Sequence, residues 1–229
     1  MSPIFSTFSL GAKALGIAEL SFSFVTSTTT TTHQFTVPAS SQAGDLVIYA
    51  HTGGANGGSV SLADSYKPAA WTRIYRDAFD GNVNEDSVFD CCYKKIESGD
   101  VSSTISVANS AFTTDLGVML VFRPTKTFTV AIEDTNHQVG DVNPSAQTID
   151  GTAVATLPHL LMSTHFQYGD PVTGRSWTGG TNSEITNTNE YYLRYKMFNI
   201  GDTKENVTVN HGDGGGEHNR LFSMIISFT

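Results

Sequence analysis

Two polar segments, one of them rich in glycine, hold the residues best suited to ion chemistry. Residues 211–218 (HGDGGGEH) bring His211, Asp213, Glu217 and His218 close together in sequence, and imidazole and carboxylate are donors that zinc accepts. The intervening glycines supply neither the helix nor the tight knuckle that fixes zinc-ligand spacing, so a hairpin loop is the plainer reading. Residues 80–86 (DGNVNED) set Asp80, Asn82, Asn84 and Asp86 at alternate positions, as calcium loops do. Glu85 stands where an EF-hand needs glycine and Cys91 where it needs a bidentate glutamate, which leaves an acidic loop tip as the alternative. No cofactor is expected. Nor is enzymatic chemistry: there is no G-x-S-x-G elbow, no H-E-x-x-H and no phosphate loop ending in lysine. Carboxylates are too plentiful for any one pair to mark a glycosidase cleft. For binding rather than catalysis, Tyr168, Trp177 and Tyr191 are the rings that would contact a glycan if they face solvent.

The elements that must position these residues announce themselves by repetition. Residues 93–107 (YKKIESGDVSSTISV) align without a gap on residues 195–209 (YKMFNIGDTKENVTV), with five identities in fifteen positions where composition alone gives roughly one. The echo extends outward: Trp71-Thr72 answers Trp177-Thr178, LVIYAH at 46–51 answers LLMSTH at 160–165, and LGVMLVF at 116–122 answers FSMIISF at 222–228. A doubled unit of short strands and Gly, Asn and Asp turns predicts an all-β fold. The expected form is an antiparallel β-sandwich or jelly roll in which each unit covers the other's apolar face. Tryptophans at matched places in two units are expected to pack the fold rather than bind a ligand.

Strands are expected at residues 33–37, 45–51, 71–76, 88–96, 104–108, 116–122 and 128–133, then at 153–157, 160–166, 191–198, 206–209 and 221–228. Residues 136–151 read as the connection between units, and the Thr/Ser tract at 26–32 as a linker into the first strand. The domain plan is an N-terminal arm at 1–24, a first β unit at 25–135 and a connection plus second unit at 136–229, the two units forming one body. The arm mixes glycine with scattered apolar residues, Ile4, Phe5, Phe8, Leu10 and Leu15, and such a segment is readily ordered by a partner subunit. A strand or cap on the chain's own core is the competing reading.

Composition narrows the partners. With 13 Lys plus Arg against 22 Asp plus Glu the net charge is −9, which repels phosphate backbones and anionic headgroups; no nucleic acid and no membrane insertion are expected. Cys91 and Cys92 are adjacent, and strand neighbours point to opposite faces. They are expected reduced, with a vicinal disulfide as the alternative. Without a disulfide framework or a convincing signal segment, synthesis inside a cell without export is expected.

Val37-Pro38, then Ala43-Gly44-Asp45-Leu46, a Trp71-Thr72 strand, Tyr93-Lys94, Gly99-Asp100 and a run ending Val121-Phe122-Arg123 together resemble a β domain of tailed-bacteriophage structural proteins. That domain is especially common among phages of marine bacteria and cyanobacteria. There a "GDL" strand after a proline, a "GWT" strand, a "YK" strand and a closing "fRg" strand follow one another; this chain has Ala70 where glycine often stands, and Pro124 after the arginine. The likeness runs from about residue 33 to the C-terminus, and the leading F-x-L-G-A-K-A-L-G is similar to short anchoring termini of virion proteins. The resemblance implies a virion protein made in the host cytoplasm, non-enzymatic and oligomeric, with a trimer favoured. It would dock on other virion proteins through residues 1–24. A tail fibre or adhesin touching a host-surface glycan is the leading form, with a capsid decoration protein as the alternative and a carbohydrate-binding module as the reading outside this class. No catalytic residue is implied.

Overall fold

The computed structural model describes residues 19–54, 65–79, 87–110, 112, 114–140, 155–167, 176–178, 183–188, 191–203, 208–210 and 219–229. The first half of the chain forms β1 (Phe22–Thr30), β2 (Gln34–Thr36), β3 (Leu46–Gly54), β4 (Thr72–Phe79), β5 (Ser87–Lys95), β6 (Thr104–Ser106) and β7 (Thr114–Pro124). The second half forms β8 (Val130–Gly140), β9 (His159–Gln167), β10 (Ser176–Thr178), β11 (Ser183–Thr188), β12 (Tyr191–Phe198), β13 (Thr208–Asn210) and β14 (Asn219–Phe228). Every strand pairing is antiparallel.

Two five-stranded sheets result, ordered β1-β7-β3-β5-β4 and β8-β14-β9-β12-β11. With each strand matched to its counterpart in the other unit, the two orders are the same. The likeness reaches single hydrogen bonds. The Asp100 carboxylate accepts from the Glu97 N–H at 2.7 Å, and Asp202 accepts from the Asn199 N–H at 2.8 Å. Val37 and Ala155 each exchange two backbone hydrogen bonds with this turn region, but not in the same register: Val37 bonds residues 102 and 103, Ala155 residues 201 and 202, which align with 99 and 100. The repeat read in the sequence is thus largely a repeat of structure. Its Trp-Thr echo is not, since Thr72 opens β4, whose place in the second sheet is taken by β11, whereas Trp177 and Thr178 lie in β10, paired with β13 outside that sheet. Each sheet takes all its strands from one half of the chain, so the path stays within a sheet where a jelly roll alternates between sheets, and no closed barrel forms among the described residues.

The sheets pack face to face. Alternate residues of the central strands point inward: Leu46, Ile48 and Ala50 on β3 and Val118, Leu120 and Phe122 on β7 meet Leu160, Met162, Leu193, Phe222, Met224 and Ile226 from the second sheet. The other alternation of the first sheet is apolar as well. Val47, Tyr49, Cys92, Met119 and Val121 form an outer core with Trp71, Phe35 and Val37, beneath a ribbon made by β2 and β6. Covering on both faces is why β3 reads as a near-continuous apolar run rather than an alternating one. Trp71, expected to pack, lies in this outer core with its ring 5.1 Å from that of Tyr49. Both cysteines are free and buried, one facing each core.

Four expectations change. Residues 26–30 are not a linker but the second half of β1, paired along β7; threonine is β-branched and suits a strand without supplying an apolar pattern. The arm cannot extend to residue 24. Phe22 is only 5% exposed, with its ring 4.4 Å from Phe228, and its N–H donates to Asn199 Oδ1 at 2.9 Å. Ser21 and Thr125 are joined through both backbone and side chain. Residues 136–140 continue β8 along β14, so the second unit begins at Val130 and residues 125–129 join the units. The strand expected at 153–157 does not form at its described residues, Ala155 to Leu157.

Candidate functional site

The two ends of the sandwich differ in what they carry. At one end Phe22 opens β1 opposite Pro124, Phe198 pairs with His159, and Phe228 pairs with Val130. The chain entry at Glu19 and the C-terminal Thr229 both lie here, and Phe22, Phe128 and Phe228 pack ring to ring across the sheets. At the other end Gly54, Ser87 and Thr114 align across β3, β5 and β7, while Gly140, Gln167 and Asn219 align across β8, β9 and β14. Phe79 pairs with Ser87 there.

This polarity governs the residues singled out in the sequence. Asp80, Asn82, Asn84 and Asp86, together with Tyr168 and with His211, Asp213, Glu217 and His218, lie outside the described residues. The segments that contain them nevertheless join strands at this second end, because they follow Phe79 and Gln167 or precede Ser87 and Asn219. Ile4, Phe5, Phe8, Leu10 and Leu15 also lie outside the described residues, in the segment leading into the first end. Trp177 is in β10, whose backbone pairs it with Val209 of β13. Tyr191 is removed from the glycan-facing set: it is 0% exposed, enclosed between the sheets, and its hydroxyl donates to the Ala50 carbonyl at 3.2 Å. Burial drives its phenol pKa well above the usual value, and no ring face is open to a sugar.

A polar row on the outer face of the first sheet was not foreseen. Asp90, fully buried on β5, is held by Arg73 of β4 through two charge-assisted hydrogen bonds of 2.9 and 2.7 Å and accepts from the Cys92 thiol at 3.3 Å. Arg76 donates to the Ser65 hydroxyl and carbonyl at 3.0 and 3.1 Å. The hydrogen bond from Arg73 to Asp90 raises the Arg73 pKa, whereas burial, followed by the charge of Arg73, lowers that of Arg76. Across β3, His51 Nε2 lies 2.9 Å from Asp115 Oδ1, and His33 Nδ1 lies 3.8 Å from the other carboxylate oxygen. The signal was in the sequence, since His51 closes LVIYAH and Asp90 interrupts VFDCC, and a charge inside an apolar strand must be paired to be buried.

The His51–Asp115 pair has the partners of a general base but not its setting. His51 is 0% exposed, with Phe35 and Phe112 rings centred 6.3 and 6.0 Å away. A base must reach a substrate proton directly or through one water, and these rings close the approach. Burial, assisted by Asp90, pushes the Cys92 thiol up to about 12, so it stays neutral and lacks the thiolate that makes a cysteine reactive. No group of three or more His, Cys, Asp or Glu is placed to hold a metal among the described residues. None of their helices is long and apolar enough to cross a membrane. Comparison with protein-family models, with curated proteins and with solved structures gives no match.

Proposed function

We propose that this chain is a structural, non-enzymatic protein of a tailed-bacteriophage particle, tail-associated and of the fibre or adhesin type. The segment before Glu19 is its mounting peptide and the β body is its displayed part. The observation that carries the reading is the polarity of the sandwich: both described chain ends sit at one end, and the segments 80–86, 168–175 and 211–218 leave strands at the other. A displayed body needs this separation, because loops on a rigid scaffold can make contact only where the mount does not. The net charge of −9 and the largely hydroxyl and amide surface suit an exposed particle protein. Assembly as a trimer, location on the virion and contact with a host-surface glycan belong to the same proposal. A capsid decoration protein would use the same polarity on a different mount.

Phe22 and Ser21 belong to the body, so the test removes residues 1–18 and no more. The truncated protein is expected to keep the circular dichroism spectrum and melting temperature of the full chain but to be missing from purified particles produced in a complementation experiment. Normal incorporation of the truncated chain overturns the proposal.

A further inference from the structure

On the outer face of the first sheet, a groove of about 390 Å³ separates β1 from the β2–β6 ribbon, a volume within the range of about 300–1,000 Å³ usual for ligand sites. Thr28 and Thr30 line one wall and Gln34, Thr36 and Thr104 the other, with Phe35 between them. The bulge at Phe24/Thr26 creates this arrangement. It turns Thr28 and Thr30 onto the face that Met119 and Gly117 share, beneath the ribbon. Among the described residues no acidic or basic side chain lines the groove, although the molecule carries a net charge of −9.

The walls are built rather than incidental. The Thr30 hydroxyl lies 2.8 Å from the Gln34 carbonyl and accepts from the Thr32 N–H at 3.1 Å, which braces the turn between β1 and β2. Across the ribbon the Thr36 and Thr104 hydroxyls are 3.1 Å apart. Gly117 lets the ribbon sit this low: a Cβ there would fall 2.6 Å from Phe35 Cζ.

We infer that this groove binds a neutral polyhydroxyl chain, a segment of oligosaccharide. A threonine hydroxyl both donates and accepts, so the exposed Thr36 and Thr104, bonded only to each other, keep capacity for a ligand whose groups do the same, with the exposed Gln34 amide beside them. The Thr28 hydroxyl is itself buried and the Thr30 hydroxyl serves the turn. An ion entering would lose hydration and meet no counter-charge, which excludes anionic sugars. An extended peptide is the rival occupant. Strand addition uses the main-chain groups of a sheet edge, whereas this groove presents side chains on a sheet face. The inference deepens the display reading by naming what the displayed body holds, and rests on it only for the source of the sugar.

The test uses the full chain in calorimetric titration and in glycan-induced amide NMR shifts. The probes are malto-, cello-, laminari- and chitohexaose, an alginate hexamer, and a peptide with the β1 sequence. The variant pairs Thr36→Val with Thr104→Val, which removes both partners of one hydrogen bond together and so leaves neither orphaned. The expected result is saturable binding of at least one neutral hexaose, with shifts at residues 28–36 and 104. Affinity falls at least tenfold in the double variant while its melting temperature holds. Should the double variant unfold, the shift map on the unaltered chain decides. Absence of binding at millimolar sugar, preference for alginate or the peptide, shifts elsewhere, or affinity unchanged in a folded double variant overturns the inference. None of these outcomes touches particle incorporation, so the mounting proposal stands or falls separately.

Discussion

Ala70 has φ of +64°, in the left-handed region, immediately before the buried Trp71. A side chain with Cβ costs about 1–2 kcal/mol in that conformation, so glycine would suit the position better. Ala70→Gly relieves the strain and returns part of the gain to unfolded-chain entropy, about 0.4–1 kcal/mol. Chemical denaturation should therefore show the variant more stable by up to about 1 kcal/mol; a loss would mean that Trp71 and its turn need the methyl. The buried thiols carry a second residue-scale prediction. Below pH of about 8.5 Cys92 is protonated folded or unfolded; above it the unfolded chain loses the proton while the folded thiol holds it to about 12. The folded state then binds more protons, so stability falls as pH rises, by at most about 1.4 kcal/mol per pH unit for this thiol. Cys91, Tyr49 and Tyr191, all raised chiefly by burial, act in the same direction. Urea midpoints measured from pH 8 to pH 10.5 should decline, and less steeply in Cys92→Ala; a flat profile contradicts the buried, neutral thiol. On the acid side, burial alone would raise the Asp100 carboxyl, but the Glu97 N–H and Lys94 ammonium outweigh it and hold the carboxyl low. The stability it contributes is present above the ordinary carboxylate value and lost as pH falls through the lower folded value.

Among elements, those with an apolar signature were legible and those made of hydroxyls were not. β3, β5, β7, β9, β12 and β14 stand out as runs of Leu, Ile, Val, Phe and Met because they face one or two cores. β1 was hidden behind its threonines, yet the alternation Phe22-Ser23-Phe24 was its visible start: Phe22 enters the inter-sheet core, and Phe24, 45% exposed, stacks on Tyr195 at the open margin. The polar second half of β8 was unreadable for a similar reason, since it is an edge strand paired on one side only. Tyr191 misled because a tyrosine beside a polar loop looks exposed; its partner is Ala50, on a strand of the other sheet, which no local pattern reveals. The ribbon of β2 and β6 rests on a size match that can be tested. Gly117→Ala sets a Cβ 2.6 Å from Phe35 Cζ and 3.1 Å from the Ala50 carbonyl and should destabilise by about 1–3 kcal/mol, the usual range for overpacking. Combining it with Phe35→Leu should cost less than the sum of the single changes, because the residues share one space. Strict additivity would mean that the ring does not seat on Gly117.

For the whole molecule, duplication was the feature the sequence exposed best, and it extends to matched sheet orders and matched Asp100 and Asp202 turns. The facing of the two sheets and the separation of chain ends from polar loops depend on tertiary register, which repetition alone does not specify. The mounting proposal rests on that separation. Its most direct test is electron cryomicroscopy of intact particles at a resolution that traces strands. The account predicts two stacked five-stranded sheets with the end bearing Phe22, Phe128 and Phe228 against the particle and the end bearing Gly54, Gln167 and Asn219 outermost. Density with the loop end buried against the particle, or particles that lack this sandwich altogether, would contradict it.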